Sequence, residues 1–362
     1  MGRDEQIEEL EKELSTTKYN KKTQHHVGLI KAKIARLKEE QFVEGKKTSR
    51  HDGFATKRTG HATVAFIGFP SVGKSTLLNA LTNAQSEIGA YDFTTLDCVP
   101  GMLIHKDAHI QLLDIPGLIA GAAKGLGRGR EVIAVAKAVD LLLVVLDPKT
   151  YGKFHLIQQE LYKADIRMNQ IPPDVVVKKR GHGGVDFGTT IKLTKTNEET
   201  IKGMMREMGF QNSSIVVRQD ITQDELVDVL RRNRLYLPEI IIMNKSDQIT
   251  AKQKKEIQKT IKPDLFVSGG TNENLDKLED LLFEKLKLMR IYTKEPSKEP
   301  DMTDPLIMRE GNTVKDVAIK LHRKILSNFK HAKIWGSSKF PGQKQGLTYK
   351  LKDMDVVQIT LD

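Results

Sequence analysis

The chain reads as an α/β protein with a mostly parallel central sheet, and three observations lead there. First, short apolar runs (Thr63–Gly68, Ile110–Asp114, Leu141–Asp147, Glu239–Asn244 and Asp264–Ser268) alternate with helical patterns (Lys74–Thr82, Arg130–Ala138, Ala251–Lys259 and Asn272–Met289). Strands that are apolar on both faces belong to a sheet covered by helices on each side. Second, the first run passes directly into Gly68-Phe69-Pro70-Ser71-Val72-Gly73-Lys74-Ser75, a G-x-x-x-x-G-K-[ST] loop that opens a helix. Third, Asp114, Asn244 and Ser268 fall at the carboxyl ends of their runs, where such sheets bind ligands.

The segments around this core read differently. Residues 4–14 and about 20–41 carry apolar stripes at helical spacing, Ile7-Leu10-Leu14 and Val27-Ile30-Ile34-Leu37, which an antiparallel hairpin would bury. Gly45–Gly60 is a basic, Gly-containing linker. Between the Leu141–Asp147 run and Asn244 lie roughly 90 residues, far more than one crossover helix needs. The spacing therefore predicts an inserted α+β subdomain over 166–235. Its strands are expected at Val175–Lys178, Thr190–Leu193 and Ser214–Arg218, with helices at Glu198–Met208 and Asp224–Asn233.

Beyond Met289, strands are expected at Ile291–Tyr292, Leu306–Met308, Ala332–Trp335 and Val356–Leu361. Thr313 and Asp316 are placed to cap a helix between them. Strand, strand, helix, strand, strand is the order of a ubiquitin-like β-grasp module, with Trp335 expected in its core. The expected division is 1–60 for the hairpin and linker, 61–165 with 236–289 for the nucleotide domain, 166–235 for the insert and 290–362 for the β-grasp.

With 39% apolar and 29% charged residues, the 362-residue chain fits a soluble protein of several domains. No apolar run approaches the roughly 18–20 residues that cross a bilayer, so no membrane partner is expected. Met1–Gln6 lacks a secretion signal, and a cytoplasmic location is expected. The one cysteine, Cys98, allows neither an intrachain disulfide nor a cysteine metal cluster. Net charge is +11, and its distribution is uneven. Residues 1–60 hold 14 Lys/Arg against 10 Asp/Glu, and residues 290–362 hold 14 against 9, so most of the excess lies on the flanks. Such flanks suit a polyanion such as RNA, and a solvated helix face with a tether is the plainer alternative.

Each motif has a chemical reading. Gly68, Pro70, Ser71, Val72 and Gly73 would shape a loop whose N–H groups face phosphate oxygens, and the helix beginning at Lys74-Ser75-Thr76 adds its dipole. Lys74 would bridge the β- and γ-phosphates, and the Ser75 hydroxyl would bind Mg²⁺. Asp114, opening Asp114-Ile115-Pro116-Gly117, would hold the Mg²⁺ shell, while the Gly117 N–H would meet the γ-phosphate. Thr95, or else Thr94, would complete the metal shell. Asn244-Lys245-Ser246-Asp247 reads the base: the Asp247 carboxylate matches the paired donors of guanine, Asn244 pins the loop and the Lys245 stem covers a ring face. Ser268-Gly269 would offer N–H to the guanine carbonyl.

GTP and GDP are thus the expected ligands, with Lys74, Thr95 and Gly117 the groups expected nearest the reaction. An ATPase remains open only if Asp247 does not face the base. Leu118 follows Gly117 where many GTPases carry the Gln that orients water, so slow intrinsic turnover is expected. Residues 117–130 hold five glycines together with Arg128 and Arg130, a composition that favours ordering on the γ-phosphate.

Taken together, G-F-P-S-V-G-K-S-T, the F-T-T-L of Phe93–Leu96, D-I-P-G-L-I, N-K-S-D and a C-terminal R-I-Y-T-K with G-N-T-V-K-D resemble the developmentally regulated GTP-binding (DRG) proteins of the Obg superfamily. The resemblance covers nearly the whole chain. It implies a P-loop GTPase domain, an N-terminal helical hairpin, an insert similar to a domain of a small-subunit ribosomal protein, and a C-terminal TGS domain of β-grasp type. It also implies a translation-linked role through ribosome, rRNA or tRNA, and a protein partner reached through the hairpin or the TGS domain. Some related GTPases bind potassium through an Asn in the phosphate loop; Ser71 stands at that position, a departure that weighs against potassium activation and makes K⁺ the weaker expectation beside Mg²⁺. The alternative function is an RNA- or ribosome-binding scaffold with GTP bound but not hydrolysed.

Overall fold

The computed structural model describes residues 2–47, 60–82, 99–114, 136–296 and 298–361. The chain divides into two compact units, one formed by Met1–Gly53 with Gln170–Tyr236 and the other by Phe54–Asn169 with Leu237–Asp362.

The larger unit contains a six-stranded sheet and a five-stranded sheet. Strands β1 (Ala62–Ile67), β2 (Val99–His105), β3 (Ala108–Asp114) and β4 (Leu141–Leu146) join Glu239–Met243 and Leu265–Phe266 in the first. Its order is Leu265–Phe266, Glu239–Met243, β4, β1, β3, β2. Pairing is parallel throughout except between β2 and β3, which form an antiparallel hairpin. The buried β1 and β4 explain the unbroken apolar runs in the sequence. Register sets the site: Phe66 lies opposite Asp114, Ile67 opposite Val144, Met243 opposite Leu146 and also opposite Phe266. All five strands therefore end at one edge.

Strand β2 was not expected, since Pro100 and Gly101 weaken any strand reading. Both are tolerated because β2 is the sheet's edge. The helix expected over Asn272–Met289 covers only Leu275–Lys285. Asn272 and Asn274 hold left-handed backbone (φ 60° and 57°), and Lys287 does the same at the other end (φ 52°), so helix is excluded at those positions. The following strand runs over Leu288–Thr293. A helix at Phe154–Lys163 also had no counterpart in the sequence reading. Of the helix expected over Arg130–Ala138, residues 136–138 are described and are helical.

The five-stranded sheet runs Leu306–Arg309, Leu288–Thr293, Asp355–Leu361, Phe329–Trp335, Gln343–Gln345. Helix Val314–Leu321 packs Val314 and Val317 onto Met289, Ile291, Ala332, Ile334 and Val357, and its Ala318 is buried as well. Thr313 and Asp316 form its capping box, and the Thr313 N–H and hydroxyl hold the Asp316 carboxyl below its ordinary range. Trp335 is a correction. Ala332 and Ile334 point into the core, so strand alternation turns half-buried Trp335 to the other face, with the Lys294 ammonium 5.2 Å from its ring centre.

In the smaller unit, α1 (Arg3–Thr16) and α2 (Gln24–Lys47) pair through Ile7, Ile30, Ile34 and Leu37. The other side of α2 joins the insert: Ala32 and Ala35 share a core with Ile201, Met204, Ile215 and Leu226. Lys31 binds Asp224 at 2.7 Å, and the Gln223 side chain donates to the Gln24 carbonyl at 2.7 Å. The insert has a three-stranded sheet of Val175–Lys179, Ser213–Val217 and Val185–Thr189, with helices Glu198–Glu207 and Gln223–Arg231. Its third strand is Val185–Thr189 rather than Thr190–Leu193. Val185 and Phe187 alternate into the core, and the Thr189 hydroxyl then closes a turn with the Ile191 N–H and carbonyl. Among the described residues, no helix is long and apolar enough to cross a membrane.

Candidate nucleotide-binding site

The loops leaving the common edge of the six-stranded sheet carry the predicted residues. Gly68 follows β1 directly, and any side chain there would strike the Val145 carbonyl oxygen. Gly73 has φ 92°, and a Cβ would collide with the Asn244 side-chain nitrogen, so close approach and left-handed geometry both require glycine. Gly73 caps helix α3 (Lys74–Leu81). Val72 is fully buried beneath the loop, while Pro70, Ser71, Ser75 and Thr76 are exposed along it. The Lys74 ammonium turns into the loop and donates to the Gly68 and Phe69 carbonyls at 3.2 and 3.1 Å. Burial lowers the Lys74 pKa, opposed by the nearby Asp114 charge.

Ser75 donates its hydroxyl proton to Asp114 Oδ2 at 2.6 Å. Asp114 Oδ1 is buried and has no hydrogen-bond partner among the described residues. A hydroxyl and an orphaned carboxylate oxygen side by side form a hard donor pair that fits a small divalent cation. Of the expected metal and phosphate groups, Thr95 and Gly117 lie outside the described residues, as do Thr94, Cys98, Leu118, Arg128 and Arg130.

Asn244 is the hub of the remaining loops. It is 3% exposed, donates from Nδ2 to the Val72 carbonyl at 2.8 Å, and accepts from the Gly269 N–H at 3.1 Å. One side chain thereby ties the phosphate loop to the Ser268-Gly269 loop. Lys245 adopts left-handed backbone (φ 59°) and donates from Nζ to the Ser71 carbonyl at 2.7 Å. Asp247 is exposed and fixed: its Oδ1 accepts from the buried Ser268 hydroxyl at 2.7 Å. Gly269 lies against Leu77 of α3, where even a methyl group would crowd its neighbour.

The sequence reading missed Asp147, which accepts from Lys245 Nζ at 2.9 Å and is 4% exposed. Burial works against its charge, but bonds from Lys245, Thr150 and the Lys149 N–H outweigh this and hold its pKa below the ordinary range. The available signal was an acid closing an apolar strand at the ligand-binding edge.

A family profile described as a 50S ribosome-binding GTPase matches residues 63–179, one described as the C-terminal region of the MMR_HSR1 domain matches 182–288, and a TGS domain profile matches 289–361. The human developmentally-regulated GTP-binding protein 2 is 42% identical over 99% of this chain and 99% of its own length. The chain belongs to the developmentally regulated GTP-binding protein family. Other relatives include an uncharacterized GTP-binding protein of Methanocaldococcus jannaschii, 46% identical over 100% of this chain and 93% of its own, and an Arabidopsis thaliana developmentally-regulated G-protein, 42% identical over 98% of both. This DRG chain is accordingly a GTP-binding protein of the GTPase family, with a P-loop α/β domain and a C-terminal TGS domain.

Proposed function

We propose that the chain is a Mg²⁺-dependent GTPase that hydrolyses GTP to GDP and phosphate as a translation-linked switch on the ribosome or its RNA. The observation that carries this reading is the Asn244 bridge. Its two amide ends fix the phosphate loop at Val72 and the base loop at Gly269 on one buried side chain. Phosphate-gripping and base-reading groups thus share a single frame, which suits one nucleotide spanning both.

Within that frame the loop N–H groups from Ser71 to Ser75 and the α3 dipole receive the phosphate chain. Lys74, already aimed into the loop, answers negative charge on the β- and γ-phosphates. Asp247 accepts from the guanine N1–H and amine, with its carboxylate oriented by Ser268. Ser75 and Asp114 would hold Mg²⁺, which when bound neutralises charge building on the β- and γ-oxygens. Thr95 and Gly117 are assigned to the metal shell and the γ-phosphate from their sequence positions. Water attacks the γ-phosphorus in line, and GDP leaves. Leu118 has no polar group with which to orient that water, so turnover is expected to be slow until a partner or a second cation such as K⁺ completes the site.

Exchange of Asp247→Asn tests the base end. Preference should move from GTP toward xanthosine triphosphate by roughly a hundredfold or more, because a carboxylate held in place by Ser268 rejects a base that lacks the matching donors. An unchanged preference would sink the reading. Two supports favour the ribosome: the match of residues 63–179 to the profile of a 50S ribosome-binding GTPase, and the basic flanks. Binding to ribosomes should weaken steeply with added salt and differ between GDP and GTP states. Leu118 favours the second reading, a scaffold with unhydrolysed GTP. Single-turnover assays with and without ribosomes separate the two.

A further inference from the structure

We propose that Asp147, which no guanine-nucleotide motif marks, is a positioning residue for nucleotide retention: it anchors the Lys245 ammonium against the phosphate loop, so that the base end and the phosphate end tighten together. The proposal rests on the guanine-nucleotide reading of the pocket.

Lys245 carries a long flexible stem with an ammonium that can donate three bonds. Two described acceptors take it: the Ser71 carbonyl at 2.7 Å and Asp147 Oδ2 at 2.9 Å. Ser71 is itself in left-handed backbone (φ 63°), at the exposed apex of the phosphate loop. The carbonyl is neutral and belongs to a loop apex, whereas the carboxylate is buried and braced by its own turn. Asp147 Oδ1 accepts from the Thr150 hydroxyl at 2.7 Å and the Lys149 N–H at 3.1 Å, and the Thr150 hydroxyl accepts from the Asp147 N–H at 3.1 Å. One oxygen is therefore fixed within its own turn, and the other is presented to Lys245. A charge-assisted bond from a preorganised partner holds a lysine far better than a lone carbonyl does.

A purely structural clamp between two strands explains the pair less well. β4 and Glu239–Met243 are already joined by a parallel ladder up to Met243 opposite Leu146, and the Asn244 N–H continues it to the Leu146 carbonyl at 2.8 Å. The ion pair begins where the ladder ends, and its third member is the phosphate loop.

Release of a fluorescent GDP analogue from the full chain tests this by stopped flow. Asp147→Asn, which keeps size and shape, should speed release about tenfold, since loosening the half-exposed Lys245 from its buried anchor frees the phosphate loop that closes on the nucleotide, and such changes fall mainly on the off-rate. In steady state KM for GTP should rise while kcat changes by less than about twofold, and preference for GTP over ATP should persist because Asp247 is untouched. The deciding measurement is a cycle with Lys245→Met. Once Lys245 is gone, Asp147→Asn should add nothing; additive effects would overturn the proposal. Thr150→Val, removing only the hydroxyl that braces Asp147, should give a smaller acceleration, and release at the wild-type rate in both Asp147→Asn and Thr150→Val would also overturn it. If the unaltered chain failed to retain the GDP analogue, the guanine reading itself would fall, an outcome distinct from a failed cycle.

Discussion

The two edges of the six-stranded sheet use similar polar residues for opposite ends. At the amino edge, side chains serve the sheet: the Thr63 N–H donates to Asp140 at 2.9 Å, the Ile241 N–H to Asp264 at 2.8 Å and the Glu239 N–H to Asn169 at 2.8 Å. Each satisfies a backbone donor in or at the start of a strand, where a buried N–H must find a partner. At the carboxyl edge, Asn244, Lys245 and Ser268 reach between loops, and Asp114 keeps one oxygen unpaired among the described residues. Polar groups at one edge complete the fold. At the other they tie loop to loop, and Asp114 Oδ1 alone of these groups is left open among the described residues.

This contrast can be broken or sharpened by substitution. The largest effect is expected at the carboxyl edge from Lys74→Ala, which should weaken binding of a non-hydrolysable GTP analogue by about a hundredfold or more in calorimetric titration. The melting temperature of the nucleotide-free chain should not fall, because burial already disfavours that charge. Asn244→Ala should cost both nucleotide affinity and about 2–3 kcal/mol of stability, since it strands the Gly269 N–H and the Val72 carbonyl. A normal denaturation midpoint in that variant would mean that the loops are held by something else.

At the amino edge the expected effects fall on stability alone. Glu239 is buried near Asp264, which raises its pKa to about 7, with Lys285 opposing. Between about pH 4.5 and 7 the folded chain holds a proton that the unfolded chain has released, so stability falls as pH rises through that window. Glu239→Gln should remove this decline and raise stability at pH 8 by on the order of 1 kcal/mol, with GDP affinity unchanged. Thermal melts across pH check the sign. The smallest effect is expected from Arg309→Ala, whose partly exposed pair with Asp140 at 2.9 Å should be worth less than about 1 kcal/mol.

Much of the site was legible because its elements are local. A glycine needed for backbone geometry, a lysine opening a helix and an Asn-Lys-x-Asp run each declare their chemistry within a few residues. Asp147 was not legible in that way, because its meaning depends on Lys245, almost a hundred positions later and one strand over. Trp335 misled for a similar reason: aromatic size argues for burial, but strand alternation beside Ile334 sends it to the opposite face. The helix before the TGS domain was over-extended because apolar periodicity continued through Leu288, while the left-handed Lys287 had already stopped it.

The sequence by itself determined the parallel α/β core and the edge at which its polar motifs gather, because apolar periodicity and short polar motifs act over a turn of helix or a single strand. Only the tertiary structure decided that Asn244 joins two loops, that Asp147 anchors Lys245, and that the N-terminal hairpin shares a hydrophobic core with the insert through Ala32 and Ala35. Those pairings depend on which surfaces are buried together, and burial is a property of the packed chain rather than of any one segment.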